Sequence, residues 1–192
     1  MTLNNYVSIR SNVTNNKLET FLKKNAKYNG VSEFTDYVLK PTNKKTINTD
    51  KDLMWCREIH RNTWHAMKIG KFYPFYKKDI KFKAGLQVFE MPIGHPYIEC
   101  KSIDEGKKYF KKDLDVWFKF KRTTKDYSYG DISIYVENVQ YAGLSVDIVC
   151  RKESNSLKEN LKLVKDFMKK NGVSKTISHQ VATLVAKSLK KI

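Results

Sequence analysis

The chain has 192 residues, and 41% of them are hydrophobic, which is enough for one well-buried core. No run of about 18 apolar residues occurs, and the first residues lack the apolar stretch of a secretory signal. These features argue against a membrane span and predict a cytoplasmic protein, in the host cell if a phage or virus encodes it. The 37 basic and 20 acidic residues give a net charge of +17, which predicts polyanionic partners.

Residues 1–50 predict a helical segment followed by a linker. Apolar side chains recur on one side of residues 15–29, lysines occupy the other side, and Gly30 ends the pattern, as in an amphipathic helix. A second, short helix is predicted over residues 32–39. Residues 41–50 are polar and begin with a proline, which predicts a linker.

The clearest helical pattern extends from Asp52 to Ile69 and ends at Gly70. At 100° per residue, one face is apolar and the opposite face is basic. The basic face holds Arg57, Arg61, Trp64 and Lys68. Arginine can donate two hydrogen bonds to one phosphate, and tryptophan can stack on a base. We therefore predict that this face binds nucleic acid; the alternative is a solvated face whose arginines pair with acids elsewhere.

From residue 79 the apolar period changes to two, which predicts strands. Alternation around Gly85 predicts a hairpin, and residues 116–121, 132–136 and 144–150 predict a meander. Ser102 and Glu105 form a capping-box pattern for one helix inserted before the meander. We therefore expect a sheet of about six antiparallel strands.

Residues 154–192 predict two helices. Ser156 and Glu159 form a second capping box for a helix that ends at Asn171-Gly172, and another helix follows over about 174–190. The segment GVSKTIS, residues 172–178, resembles the turn of a repressor-type helix-turn-helix, but its recognition helix would be one residue out of phase. The apolar stripe of the last helix instead favours a plain helical hairpin.

This order of elements predicts an α+β fold in a single globular domain over residues 1–192. The domain would consist of the N-terminal helical segment (1–50), the basic helix with an antiparallel sheet and its inserted helix (51–153), and the C-terminal helical hairpin (154–192).

One predicted strand offers a second candidate surface for nucleic acid. Its residues are Trp117, Lys119 and Lys121, which would project together, and the adjoining Arg122. An aromatic side chain among cations can hold a single strand by base stacking and phosphate attraction. The alternative is an edge strand whose lysines prevent aggregation.

Four aromatic residues surround Pro74 and form a candidate protein-binding surface. They are Phe72, Tyr73, Phe75 and Tyr76. Such a cluster could dock on an acidic protein, or it could cover the hydrophobic core.

The sequence gives little support for catalysis. Cys56 and His60 have the spacing of two zinc ligands on a helix, with His65 nearby, but no second pair completes a site. A nuclease could use acidic residues and one lysine of the meander, namely Asp131, Glu137, Asp147 and Lys152. No glycine-rich phosphate loop or dinucleotide fingerprint occurs. We therefore predict no catalytic residue, no metal site and no cofactor.

The leading hypothesis is a small, basic, non-enzymatic binding protein that engages nucleic acid or a machine of transcription or replication, of the kind that phages and viruses encode as regulators. The first alternative is an inhibitor that binds an acidic host protein, such as a transcription factor domain, without contacting DNA. The second is a divergent metal-dependent nuclease. The predicted partners are accordingly nucleic acid, an acidic protein, or both.

Overall fold

The computed structural model describes residues 6–12, 15–51, 53–63, 67–77, 81–83, 86–89, 98–150, 152, 154–177 and 179–192. Within these ranges the helices are α1 (Asn16–Asn25), α2 (Ile103–Lys108), α3 (Leu157–Lys170) and α4 (Val181–Ser188). The strands are β1 (Tyr6–Ser11), β2 (Lys27–Pro41), β3 (Leu53–Asn62), β4 (Phe72–Lys77), β5 (Lys81–Lys83), β6 (Leu86–Phe89), β7 (Leu114–Tyr129), β8 (Ile132–Val139) and β9 (Gly143–Cys150).

These strands form one antiparallel sheet in the order β4-β3-β2-β7-β8-β9-β1-β6-β5. The two longest strands, β2 with 15 residues and β7 with 16, lie side by side. The predicted α+β class, the antiparallel sheet and the β7-β8-β9 meander are confirmed. The strand count was too low, because the described residues contain nine strands rather than about six.

Side chains cap the first turns of three helices; the caps of α2 and α3 were predicted from the sequence, and that of α1 was not. The Asn15 carboxamide oxygen accepts a hydrogen bond from the first turn of α1, and the Ser102 hydroxyl does the same for α2. Ser156 and Glu159 form the complete capping box of α3, with backbone-to-side-chain distances of 3.3 and 2.6 Å. Gly172, with φ of 69°, follows α3 in the left-handed conformation that glycine adopts easily.

The predicted helices over 32–39 and 52–69 are wrong, because β2 and β3 occupy these segments. In β3, Met54, Trp55 and Cys56 are all buried although neighbouring side chains point to opposite faces of the sheet. The sequence of a strand that is covered on both faces is a continuous apolar run. Over a short stretch, such a run cannot be distinguished from the apolar side of a helix. The proposed basic helix face therefore does not exist as a surface.

The outer face of the sheet, defined here by Val7, Ile9, Ile134 and Ile148, is covered by α1 and α3. Their apolar sides meet these residues in one buried cluster, which includes Leu18 of α1. The lysines of both helices are exposed to solvent. They are Lys17, Lys23, Lys24, Lys158, Lys162, Lys165, Lys169 and Lys170. Much of the positive charge therefore lies on the outside of these helices.

The opposite, inner face is covered at one end by α4. Val181 and Val185 of α4 are buried against Val38, Trp55 and Phe118 of the sheet. Helices α3 and α4 therefore lie on opposite faces, and residues 171–180 run between them. The predicted helical hairpin is wrong, and the helix-turn-helix alternative fails for the same reason. Each helix buries its apolar stripe against the sheet instead of against the other helix.

Asp50, at the end of the irregular segment that joins β2 to β3, anchors α4 to the sheet. Its carboxylate accepts hydrogen bonds from the backbone N–H of Gln180 (2.9 Å) and the hydroxyl of Thr183 (2.7 Å). The other carboxylate oxygen lies 2.7 Å from Nδ1 of His179. Gln180 provides no side-chain cap for α4. Asp50 thus supplies, from a distant part of the chain, the acceptor that the helix start lacks.

Replacing Asp50 by alanine is expected to lower the free energy of unfolding by about 2 kcal/mol, because one backbone and one hydroxyl donor lose their acceptor. Urea denaturation measures this change. Asp166→Ala is the control, since Asp166 forms an exposed pair with Lys162 at 2.6 Å and its loss should cost about 0.5 kcal/mol or less. Equal losses in the two variants would contradict the assigned role of Asp50.

No helix in the described part of the chain has both the length and the apolar character that a membrane span requires.

Candidate anion-binding site

Six strands contribute charged side chains to a cluster on the inner face, next to the end that α4 covers. Residues that are directly opposite each other in neighbouring strands lie on the same face of the sheet. Following these pairs across the sheet identifies the inner-face residues of β3, β2, β7, β8, β9 and β1. The six residues form the inner-face cluster: Arg57, Asp36, Arg122, Glu137, Asp147 and Arg10. Three of the five arginines in the chain therefore meet in one place.

Asp36 joins two of these arginines. Its carboxylate accepts hydrogen bonds from Nε and Nη2 of Arg57 at 2.7 and 3.1 Å, and from Nη2 of Arg122 at 2.7 Å. Asp36 is only 2% exposed. The two guanidinium groups are thus fixed on either side of a single buried carboxylate.

Glu137 and Asp147 connect the cluster to β1. Glu137 accepts a hydrogen bond from Nη1 of Arg122 at 3.1 Å and another from Nη1 of Arg10. Asp147 accepts from Nη2 of Arg10 at 2.9 Å and from the hydroxyl of Ser8 at 2.5 Å. The three arginines and three carboxylates balance in charge, so the surplus of +17 belongs to the rest of the chain.

The arginines also control the ionisation of the buried acids. Burial by itself would raise the pKa of Glu137, but the charges of Arg10 and Arg122 lower it to about 2. Burial likewise opposes ionisation of Asp36, and the neighbouring Arg57 and Arg122 nevertheless hold its pKa below the usual value. Both carboxylates are therefore charged at neutral pH.

Two buried polar atoms of β7 point to a further ligand. Nε of Arg122 and the hydroxyl of Thr124 are buried and have no hydrogen-bond partner among the described residues. Thr124 is 5% exposed, and both side chains lie on the inner face, two positions apart. A buried donor without an acceptor costs free energy, and an anionic ligand with several oxygens would satisfy it.

The structure brings together two of the residues predicted to bind nucleic acid, Arg57 and Arg122. Arg61, four positions after Arg57 in β3, instead forms an exposed pair with Glu33 at 3.3 Å. Lys68 is exposed and pairs with Glu99 at 2.9 Å, and the hydrogen bond to this carboxylate raises the pKa of Lys68. Trp64 lies outside the described residues. The predicted residues of this segment therefore do not form one surface.

The residues of the second predicted nucleic-acid surface, on β7, also do not lie on one exposed surface. Lys119 and Lys121 are exposed, and the Lys119 ammonium lies 5.7 Å from the ring centroid of Tyr37. Trp117 is half-buried and packs against the cluster around α4. Arg122 points to the inner face. Nucleic-acid binding by the two exposed lysines stays a prediction.

The aromatic residues around Pro74 form β4 and differ in exposure. Tyr73 is 2% exposed, Phe72 and Phe75 are half-buried, and Tyr76 is 46% exposed. The Phe75 ring stacks on Trp55 with centroids 5.0 Å apart. Tyr76 is the most exposed of the four, and its role in partner binding stays a prediction.

The residues considered for metal chemistry do not assemble in one place. Cys56 is buried in β3, and Nε2 of His60 lies 2.8 Å from the Thr35 hydroxyl; His65 lies outside the described residues. Asp131 forms an exposed pair with Lys152 at 2.8 Å, away from Glu137 and Asp147. Glu137 and Asp147 are buried in the inner-face cluster.

Several residues of the site were not foreseen from the sequence. They are Ser8, Arg10, Asp36 and Thr124. The only sequence signal for Arg10 was its identity, since arginine is rare in this lysine-rich chain. Asp36 was assigned to a helix, which hid its place opposite Arg57.

Comparisons with known proteins show the fold. No family model and no curated protein matches the chain. The chain is similar to the solved structure of the PH1012 protein from Pyrococcus horikoshii OT3, with 19% identity, a TM-score of 0.70, and coverage of 94% of this chain and 99% of that one. It is also similar to a candidate adenylate cyclase from Vibrio parahaemolyticus (10% identity, TM-score 0.64, coverage of 94% and 97%). A third similar structure is a candidate adenylyl cyclase from Hippeastrum with a dominant triphosphatase activity (9% identity, TM-score 0.64, coverage of 95% of both chains).

The prediction of a non-enzymatic nucleic-acid-binding regulator from a phage or virus is wrong. The shared fold is that of a triphosphatase and of candidate cyclases. Of the two arginines expected on an exposed helix, Arg57 is 15% exposed in a strand and pairs with the buried Asp36, whereas Arg61 pairs with Glu33 at the surface. The same findings set aside the protein-binding inhibitor and the nuclease. The net charge of the chain led to this wrong prediction, because net charge does not show which basic residues come together in a binding site.

Proposed function

We propose that the inner-face cluster binds a triphosphate group and that the protein hydrolyses it. The observation that carries this proposal is the convergence of Arg10, Arg57 and Arg122 beside the hydroxyl of Thr124, which has no hydrogen-bond partner among the described residues. The similarity in fold to a protein with triphosphatase activity supports it. Guanidinium groups suit this ligand because they donate paired hydrogen bonds to phosphate oxygens.

Binding would exchange hydrogen-bond acceptors within the cluster. In the structure the arginine N–H groups donate to Asp36, Glu137 and Asp147. Phosphate oxygens would take over some of these donors, and Thr124 and Nε of Arg122 would gain an acceptor. The net charge of +17 favours the approach of an anion to the protein as a whole.

The cluster would assist hydrolysis by positioning and by charge. Water attacks the terminal phosphorus, the bond to the bridging oxygen breaks, and phosphate and diphosphate leave. This reaction depends mainly on alignment and on neutralising the phosphate oxygens, which three fixed guanidinium groups provide. The low pKa of Glu137 makes this carboxylate a poor proton acceptor, so its role is to position Arg10 and Arg122.

Phosphoryl transfer commonly uses a divalent metal ion, and the residues of the site do not fit one held by the protein. No group of three or more His, Cys, Asp or Glu side chains suited to a metal occurs among the residues that the structure describes. Each carboxylate of the cluster is already bonded to arginine. We therefore assign the neutralisation of phosphate charge to the arginines.

Release of phosphate from inorganic tripolyphosphate and from ATP tests the proposal. Arg57→Ala is expected to reduce the rate about a hundredfold, in line with the loss of one fixed donor to a reacting phosphate. Arg61→Ala is the matched control, because Arg61 lies on the same strand but outside the cluster, and this variant should retain the wild-type rate. The absence of release by the wild-type protein, or equal rates in the two variants, would overturn the proposal.

The predicted partners, nucleic acid or an acidic protein, are a separate proposal. The exposed lysines of α1 and α3 are the described surface that best suits a polyanion, because few acids accompany them. Neither partner is needed for the proposed hydrolysis.

A further inference from the structure

The Phe34 ring lies against two guanidinium groups of the inner-face cluster. Its centroid is 3.8 Å from Cζ of Arg57 and 4.8 Å from Cζ of Arg122. Phe34 is directly opposite Arg122 on β7 and Ile59 on β3, so Arg57, two positions from Ile59, lies diagonally across from it. Both distances are within the range of cation–π attraction.

The ring is itself held in place by the core. Phe34 is 5% exposed and packs with Ile59, Met67 and Tyr73 in a buried cluster separate from that around α4. A ring enclosed in this way cannot turn aside when its neighbours change partners. It therefore offers the two arginines a fixed surface.

Hydrogen bonds and ring contacts respond differently to a ligand. Asp36 holds Arg57 and Arg122 through their N–H groups, which are the same groups that a phosphate would need. Phe34 touches the guanidinium groups through its π face and uses none of these donors. An incoming anion thus competes with Asp36 but leaves the contact with Phe34 intact.

We infer that Phe34 is a positioning residue, which keeps Arg57 and Arg122 in place when their hydrogen bonds pass from Asp36 to a phosphate ligand. This inference rests on the proposed function, because it concerns the bound state of the same site. It assigns different roles to two neighbours on β2: Asp36 holds the arginines in the free protein, and Phe34 holds them in both states.

Calorimetric titration with the methylene-bridged analogue of tripolyphosphate, which the protein cannot hydrolyse, tests the inference with three variants. Phe34→Leu keeps an apolar side chain but removes the ring, and the dissociation constant should rise about tenfold. Phe34→Tyr keeps the π face and should restore affinity to within about threefold of the wild type. Phe120→Leu is the matched control: Phe120 is 2% exposed on the same face, and within the described residues no cation lies over its ring. It should bind like the wild type.

Nuclear magnetic resonance supplies a measurement that a change in stability alone would not affect. The Nε–H signals of Arg57 and Arg122 should show a ring-current shift that remains when the methylene-bridged analogue is added and disappears in Phe34→Leu. Loss of this shift on ligand addition, or equal affinities of Phe34→Leu and Phe120→Leu, would overturn the inference alone. Failure of the wild-type protein to bind the analogue would overturn the proposed function as well.

Discussion

Replacing Asp36 by alanine is expected to lower the free energy of unfolding by about 3–5 kcal/mol. The variant leaves Arg57 without its carboxylate partner and removes one of two partners from Arg122. Asp36 is 2% exposed, so water cannot readily solvate the guanidinium groups in its place. A loss of this size is a large share of the stability of an ordinary domain.

Denaturation in urea measures the loss, and Asp131→Ala is the control. Asp131 pairs with Lys152 at 2.8 Å, a distance close to those in the cluster, but both side chains are more than 40% exposed. Its removal should cost less than about 1 kcal/mol. If the two variants lose similar free energies of unfolding, burial does not determine the strength of these ion pairs, and the inner-face cluster is not a major source of stability.

Acidification is expected to destabilise the protein as Glu137 becomes protonated. The folded-state pKa of about 2 lies below the ordinary value of 4.5. Because the folded-state pKa is lowered, the carboxylate contributes its full stability above about pH 4.5, and this contribution is lost as the pH falls toward 2. The shift corresponds to about 3 kcal/mol. Asp36, whose pKa is also lowered, changes stability in the same direction.

Thermal unfolding of the wild type and of Glu137→Gln between pH 6 and pH 2 isolates this contribution. The glutamine variant should be less stable at pH 6, because Arg10 and Arg122 lose a charged partner, and its stability should fall less steeply with acid. Parallel curves for the two proteins would show that Glu137 does not ionise at a lowered pKa.

Helices α2 and α3 were predicted from the sequence because the residues that start and end them are close together in the chain. The capping residues Ser102 and Ser156 lie three residues before the glutamates that they face, and Gly172 directly follows the turn that ends α3. Strand β3 was misread because its burial on both faces depends on α2 and α4, which lie far along the chain. The apolar periodicity of one segment does not show which distant segments will pack over it in the fold.

The site was predicted only in part, since its contacts join distant segments. Arg122 meets Asp36 across 86 positions, and Arg10 meets Asp147 across 137. The capacity of arginine to donate two hydrogen bonds to one phosphate drew attention to Arg57, and Arg122 was selected because it adjoins the strand of Trp117, Lys119 and Lys121. Their partners depend on the strand register of β2, β7 and β9, which no local pattern specifies.

The most direct test of the central claim is calorimetric binding of the non-hydrolysable, methylene-bridged analogue of tripolyphosphate in the presence of a chelator, so that only the protein's own charges act. The wild type should bind one molecule per chain. Arg122→Gln should abolish this binding, whereas replacing both Lys169 and Lys170 on α3 by glutamine removes more charge but should preserve it. Unchanged affinity in Arg122→Gln, together with loss in the lysine variant, would show that surface charge rather than the inner-face cluster binds the anion.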